Sequence, residues 1–333
     1  MQTISVSPDL AATALAETHG ISATRLVPLG SELASTFRAE TARGALAVKI
    51  QLSSPDEEPV QRWRADVAAA LHELGHPVPA VVPARDGGSV AAVDVAGTPA
   101  AVLAIDWVEA TPYAEATVSA GLGAELGGVA ARLQRDLVGM PRPPREIAHT
   151  WAAHTTAATI EAHLRDHLGG GDGASPAARA ARAIGERALW IHAERVAPHE
   201  AELPLALVHQ DLHDSNVLVG EACAIRAIID FDDMLVGWRV AEPAIAAAYF
   251  ARHAEAAGLG SPAAAALEVL GGWEREHPMT AAEREAFLPI VAMRLALNTV
   301  VWAARAESDR GAYAAMRSRG SAATFERIAG ELA

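Results

Sequence analysis

The sequence predicts an α+β chain in two lobes. A small β-rich lobe carrying one helix spans residues 1–108, and a larger, mainly helical lobe spans 109–333. Three observations point there. A chain of 333 residues with 51% hydrophobic and 20% charged side chains is long and apolar enough to bury cores in both lobes. The first hundred residues alternate short β-like runs with Gly, Pro and Asp. From Thr117 onward, apolar residues recur at helical spacing.

Taken in order, "ATRLVPLG", "STFRAET", "GALAVKIQL", "VPAVVPAR", "SVAAVDVAG" and "PAAVLAIDWV" read as strands. One helix interrupts them, Glu58 to Leu74, with Val67, Leu71 and Leu74 on one face and Gly75 and Pro77 as stop signals. The lobe boundary falls near Glu109 to Pro112. In "LGGVAARLQRDL", the residues Leu126, Val129, Ala130, Leu133 and Leu137 form one helical stripe. Helical patterns run on to about Val196, loosened by "GGGDGASP". A β-like island follows, "LALVHQDLHDSNVLVGEACAIRAIIDFDD", before helices resume to the end.

Composition excludes several partners. A net charge of −14 without a basic stripe argues against nucleic acid and anionic membranes. It suits a cationic small substrate, although an acidic surface serves solubility equally well. The single Cys223 excludes an intramolecular disulfide and a thiolate metal cluster. "MQTISVSPDL" lacks a basic stretch followed by an apolar one, so a cytoplasmic protein is expected. The late apolar run "FLPIVAMRLALNTVVWAARA" is broken by Pro289, Arg294 and Asn298, unlike a membrane span.

Lys49, in "GALAVKIQL", is the only lysine in the chain; every other Lys or Arg is arginine. A lysine on a strand is ordinarily a solvated edge residue. This one has Ala47, Val48 and Ile50 as neighbours, and an ammonium is a compact point charge on a flexible stem, suited to nucleotide phosphate oxygens. The island holds His209-Gln210-Asp211-Leu212-His213-Asp214-Ser215-Asn216 and, after two strands joined by a turn at Gly220 to Cys223, Asp230-Phe231-Asp232-Asp233. Asn216 begins one strand and Asp230 ends the next, so a hairpin would bring them together to grip a metal. Oxygen-only ligands suit Mg²⁺, which keeps waters and takes substrate phosphates. Asp211, on the preceding loop, is placed to accept a proton from a substrate hydroxyl.

"HQDLHDSN" followed by "IDFDD", with "AVKI" upstream, resembles the aminoglycoside phosphotransferase and choline kinase group of small-molecule kinases. "GSELASTFRAETARGALAVKI" and "RVAEPAIAAAYF" look like its hydroxylysine kinase and homoserine-kinase-like branch, over about residues 20 to 310. The resemblance implies a two-lobed protein-kinase-like fold with ATP, or alternatively GTP, and a small-molecule hydroxyl as acceptor: an amino alcohol, a hydroxylated amino acid or an aminoglycoside. It makes Asp211 the catalytic base, Asn216 and Asp230 the Mg²⁺ ligands, and Lys49 the residue on the α/β-phosphates. His209 would brace the loop. Ile105 to Val108, including Asp106 and Trp107, would be the hinge whose backbone reads the base. "GSELAS", with Ser31 and Ser35, stands where a phosphate-covering loop belongs.

The sequence departs from the family pattern in places. Gln210 stands where a glycine is common, and no G-x-G-x-x-G is present. The acidic partner of Lys49 is expected to be Asp66, with Glu73 as fallback. Asp232 reads as a solvated carboxylate or a further metal ligand. Glu242 reads as an N-terminal cap or dipole partner at a helix start, with a substrate acid as the alternative. Arg294 and Asn298 read either as cleft residues or as satisfied buried polar groups. Trp107, Trp238 and Trp302 read as packing. Two alternatives are a nucleotide-binding pseudokinase and a metal-dependent hydrolase using His209, Asp211, His213 and Asp214 as ligands.

Overall fold

The computed structural model describes residues 4–30, 34–168, 175–306 and 311–332; Ser31 lies outside them. Residue contacts divide the chain into two compact units. The first comprises Met1–Ala110, Met140–Glu146 and Arg226–Asp232, and the second Thr111–Gly139, Ile147–Ile225 and Asp233–Ala333. Two segments remote in sequence thus join the first unit, which a division at a single point does not capture.

The first unit opens with helix α1, Pro8–His19. The sequence reading allowed this lobe only one helix, and α1 corrects it. The signal was present: Ser7 caps Leu10 N–H, and Pro8 sits at the first turn, where it costs no hydrogen bond. A five-stranded antiparallel sheet follows, formed by β1 (Ala23–Leu29), β2 (Ser35–Thr41), β3 (Gly44–Leu52), β4 (Ala91–Val95) and β5 (Thr98–Asp106) in the order β1-β2-β3-β5-β4. "VPAVVPAR" contributes only one bridge, Val81 to Ile105. Helix α2, Glu58–Glu73, is tied to the end of β3 by Gln61, whose amide donates to Leu52 O at 2.8 Å. Leu74 is exposed, so the α2 stripe ends at Leu71.

Period-two alternation in β3 decides where Lys49 goes. Leu46, Val48 and Ile50 enter the core with Ala11, Ala14 and Leu15 of α1. Complete burial of Val48 and Ile50 contributes about 1.5–3 kcal/mol each. Lys49 therefore points to the opposite face, beside Leu103 of β5. A slip of one residue would reverse every one of these assignments.

The second unit is mainly helical. β6 (Thr111–Pro112) and α3 (Leu122–Leu137) are followed by α4 (Thr156–Asp166), α5 (Pro176–Ile191), β7 (Leu205–Val208) and β8 (Val217–Val219). Strand β9, Ile225–Ile228, carries the chain onward from the second unit into the first. β10 (Leu235–Trp238), α6 (Ala241–Ala254), α7 (Pro262–Glu274), α8 (Ala281–Arg305), α9 (Gly311–Ser318) and α10 (Ser321–Glu331) complete it. β10 pairs antiparallel with β7, with Leu235 opposite Val208, and β6 pairs with β8.

The predicted stripe of α3 is buried throughout. A Cβ on Gly127 would lie 1.9 Å from Val269 O, and one on Gly272 would lie 2.1 Å from Ala124 O, so α3 and α7 touch backbone to backbone. α8 is long and apolar enough to cross a membrane, yet 83% of its apolar window is buried inside the protein, as in a core helix. Its start carries a capping box of Thr280 and Glu283.

Candidate active site

In the first unit, Lys49 Nζ lies 2.8 Å from Asp230 Oδ1 and 2.6 Å from Asp232 Oδ2. Burial alone would lower the lysine pKa; the two carboxylates outweigh it and raise it above its ordinary value. The ammonium is therefore fixed as a cation. Asp230 adopts a left-handed backbone, φ 66°, a conformation uncommon for any residue but glycine, asparagine or aspartate. The backbone of the last strand of this unit thus turns sharply where its carboxylate meets Lys49.

In the second unit, β7 ends at Val208 and delivers the loop 209–216. His209 and Gln210 are completely buried, and Asp211 N–H donates to His209 Nδ1 at 3.2 Å. Gln210 holds φ 70°, which explains the glycine usual at this place: the loop keeps a left-handed turn and the glutamine bears its strain. Its side-chain amide donates to Trp151 O at 3.2 Å. Behind the loop, Glu242 Oε2 accepts from Gln210 N–H at 3.3 Å. Glu242 is completely buried at the start of α6, and burial pushes its carboxyl up to about 7. It lies in the first turn of α6, where the sequence places a dipole partner, makes no side-chain cap, and also holds the backbone of the loop.

Asp211 is surrounded by donors. Arg294 Nη2 of α8 lies 2.9 Å from Oδ1, while Asn216 Nδ2 donates to Oδ2 at 2.8 Å and to the Asp211 carbonyl at 3.1 Å. His213 Nε2 is 3.2 Å from Oδ2. Burial would raise the Asp211 pKa, but His213, Arg294 and Arg317 outweigh it and hold the carboxylate well below its ordinary range. Burial likewise opposes the His213 cation, yet the Asp211 charge draws that pKa up to about 9. Arg294 also donates to Trp151 O at 3.0 Å and stacks over the Trp151 ring at 5.0 Å. Below the loop, Asp214 is held by Arg252 at 2.6 Å and His253 at 2.7 Å, both from α6. Both Asn216 contacts use its amide nitrogen, leaving Oδ1, an oxygen donor of the kind Mg²⁺ takes.

The first unit thus seats an ammonium between carboxylates, and the second seats a carboxylate among cations. The family model described as the phosphotransferase enzyme family (APH) matches residues 25–279. The chain belongs to this family. A relative, hydroxylysine kinase of Mus musculus, is 24% identical over 316 residues, covering 87% of this chain and 80% of that protein. Among solved structures, a microcompartment-associated aminopropanol kinase matches with a TM-score of 0.71 and 21% identity, over 97% of this chain and 98% of the other. An amicoumacin kinase in complex with AMP-PNP, Ca²⁺ and Ami matches with a TM-score of 0.69 and 15% identity, over 98% of both chains. The fold is that of these kinases, and the chain is a small-molecule phosphotransferase of the family.

Two predicted assignments are corrected. Asp66 is exposed and accepts from Ser89 Oγ at 2.5 Å; the acids beside Lys49 are Asp230 and Asp232, and Asp232 is an ion-pair partner, not merely a solvated group. Ser35 is engaged elsewhere, its hydroxyl accepting from Val6 N–H and donating to Ile4 O, each at 2.9 Å. In the segment expected to be the hinge, Asp106 N–H donates to Ala80 O and Trp107 N–H to Ala45 O, at 2.9 and 3.1 Å. Val108 N–H has no partner among the described residues. Trp238 and Trp302 are packed away, while Arg38 stacks over Trp107 at 4.7 Å.

The hydrolase alternative finds no footing in geometry: among the described residues no three of His, Cys, Asp or Glu are placed to hold one metal. Sequence reasoning left Arg294 undecided and did not single out Arg317, Arg252 or His253. Arg294 and Arg317 lie more than eighty residues from the loop they touch, on helices whose periodicity says only that they are helices. Asn298, paired with Arg294 in that reading, belongs instead to a buried network with Ser321, whose hydroxyl is 2.8 Å away.

Proposed function

We propose that the chain transfers the γ-phosphoryl group of ATP to a hydroxyl of a small molecule, with Mg²⁺. The observation that carries this reading is Asp211: a buried carboxylate, kept ionised by its neighbours and oriented by Asn216 on the loop that the family match includes. In the reaction the acceptor hydroxyl oxygen bonds to the γ-phosphorus and the bond to the β,γ-bridging oxygen breaks. ADP leaves with that oxygen, and the hydroxyl proton passes to an Asp211 oxygen.

Lys49 neutralises phosphate charge, and its location on a rigid central strand fixes where that charge is placed. Asn216 Oδ1 in the second unit and the Asp230 carboxylate in the first are each oxygen donors suited to Mg²⁺, which when bound would supply charge neutralisation of the phosphates. Val108 N–H is the hinge donor available to a nucleotide base. The relative solved with AMP-PNP and Ca²⁺ supports an adenine nucleotide and a divalent ion. GTP remains the alternative donor.

The low pKa of Asp211 accords with this role. Phosphoryl transfer proceeds chiefly by positioning and charge stabilisation, so a carboxylate that orients the hydroxyl while ionised serves better than one protonated at neutral pH. ADP release with Mg-ATP, followed against hydroxylysine, homoserine, choline, ethanolamine and several aminoglycosides, tests the reading, with Asp211→Asn as the blank. Turnover on one acceptor, lost in the blank, is the expected result. No turnover on any acceptor, or turnover retained by the blank, would contradict it.

A further inference from the structure

Three guanidinium groups surround the 209–216 loop within the second unit, and two have a carboxylate. Arg252 holds Asp214, and Arg294 holds Asp211. Arg317, on α9, has none within ion-pair distance among the described residues; its Nη1 donates to Ser215 Oγ at 3.1 Å and its Nη2 stands 3.0 Å from His213 Nε2.

That second approach does not satisfy the arginine. Ser215 N–H lies 2.9 Å from His213 Nδ1 and so takes the lone pair there, which puts the ring proton on Nε2, facing Asp211 Oδ2 at 3.2 Å. In a protonated ring neither nitrogen accepts. In both states Arg317 Nη2 faces an N–H and lacks an acceptor. Arg317 Nε is also buried without a partner. A half-buried guanidinium with donors to spare, which Asp211 and Asp214 attract only from beyond ion-pair distance, is the setting that a planar, two-oxygen anion fills. Since Nη2 and Asp211 Oδ2 share His213 Nε2 as neighbour, they are within about 6 Å of each other.

We propose, resting on the kinase reading above, that the acceptor carries a carboxylate, which Arg317 receives while the acceptor hydroxyl faces Asp211. The acceptor is then a hydroxy acid or hydroxylated amino acid whose two groups are a few carbons apart. An amino alcohol or a polycationic aminoglycoside lacks the group that Arg317 requires. The shared chemistry, an oxyanion on Arg317, has a second source in the transferred phosphoryl group, and the experiment separates the two.

Each acceptor is paired with its decarboxylated counterpart: homoserine with 3-aminopropan-1-ol, and 5-hydroxylysine with 1,5-diaminopentan-2-ol. Binding by calorimetry and turnover by ADP release are measured for the wild type, Arg317→Gln and Arg317→Lys. Circular dichroism checks that each variant is folded. In the wild type at least one carboxylate member is expected to bind tenfold more tightly than its counterpart. That ratio should fall to near one in Arg317→Gln, chiefly through KM, and recover in part in Arg317→Lys. Equal binding of both members of each pair, or of neither, by the wild type overturns the proposal. So does an equal loss on both members in Arg317→Gln, the result that a phosphoryl or loop-bracing role would give. Carboxylate-selective binding without phosphoryl transfer would sustain the proposal and count against the kinase reading alone.

Discussion

The Lys49 cluster and the Asp211 cluster are opposite in charge and alike in design. One seats a cation between two carboxylates, with the Lys49 pKa raised; the other seats a carboxylate among Arg294, His213 and Arg317, with the Asp211 pKa lowered. In each, burial opposes the charge and neighbours outweigh burial. The clusters differ in how that environment is built. Lys49 gets its acids from one short segment, 230–232, whereas Asp211 gets its cations from its own loop and from α8 and α9. Losing one acid leaves Lys49 a second partner, while Arg294 is the one cation on Asp211 Oδ1 and His213 the one cation on Oδ2 among the described residues, so neither has a duplicate. The comparison teaches that Lys49 depends on a single distant segment, whereas the charge on Asp211 is balanced by its own loop and by two separate helices.

The largest effect expected is on turnover in Asp211→Asn, a loss on the order of 10⁴-fold, because the neutral amide neither accepts the proton nor balances Arg294. Lys49→Arg should lower turnover on the order of 10³-fold while circular dichroism and Tm stay close to wild type, since the planar guanidinium keeps the charge but moves its centre. A near-normal rate would show that any cation suffices there, and that the two clusters are not equally demanding.

Glu242 sharpens the comparison on the stability side, because it is the buried group behind the loop that titrates near neutrality. Its folded pKa of about 7 lies above the ordinary 4.5, so the folded protein retains a proton that the unfolded chain has released. Stability is therefore lost as pH rises from about 4.5 through about 7, by ~3 kcal/mol in all. Neither Asp211 nor Lys49 changes charge in that window. Urea midpoints for the wild type and Glu242→Gln at pH 5 and pH 8 should show a pH-dependent difference of that sign and order, since glutamine still accepts from Gln210 N–H. Parallel pH curves for the two proteins would sink the assignment.

The smallest effect concerns Gln210. Gln210→Gly should be more stable than Gln210→Ala by about 1 kcal/mol, because both lose the same side-chain contacts but only alanine bears the left-handed strain. An alanine variant equal to the glycine variant would mean that the turn relaxes.

How far this was legible in the sequence follows the same division. Asp211 and Asn216 stand close in one short loop, so residue type and spacing single them out together, and the structure brings them to 2.8 Å; Lys49 stands out as the only lysine of the sequence. The partner of Lys49 is not legible: the sequence points to Asp66 on the helix beside the sheet, while the chain supplies the acids from a segment 181 residues away. Helix α1 was missed although Ser7 and Pro8 announce it, because strand-like runs dominate the surrounding hundred residues. Arg294 and Arg317 were illegible as partners of Asp211 and His213 because helical periodicity says which side of a helix is buried, not what it is buried against.

The most direct test of the account is to measure Mg-ATP affinity and phosphoryl transfer side by side in Asp211→Asn and Lys49→Ala, with an acceptor that the wild type turns over. The account predicts that Asp211→Asn binds nucleotide within about threefold of wild type yet scarcely transfers phosphate, whereas Lys49→Ala loses nucleotide affinity together with transfer. If Asp211→Asn lost nucleotide binding while Lys49→Ala kept it, the division of labour between the two clusters would be contradicted.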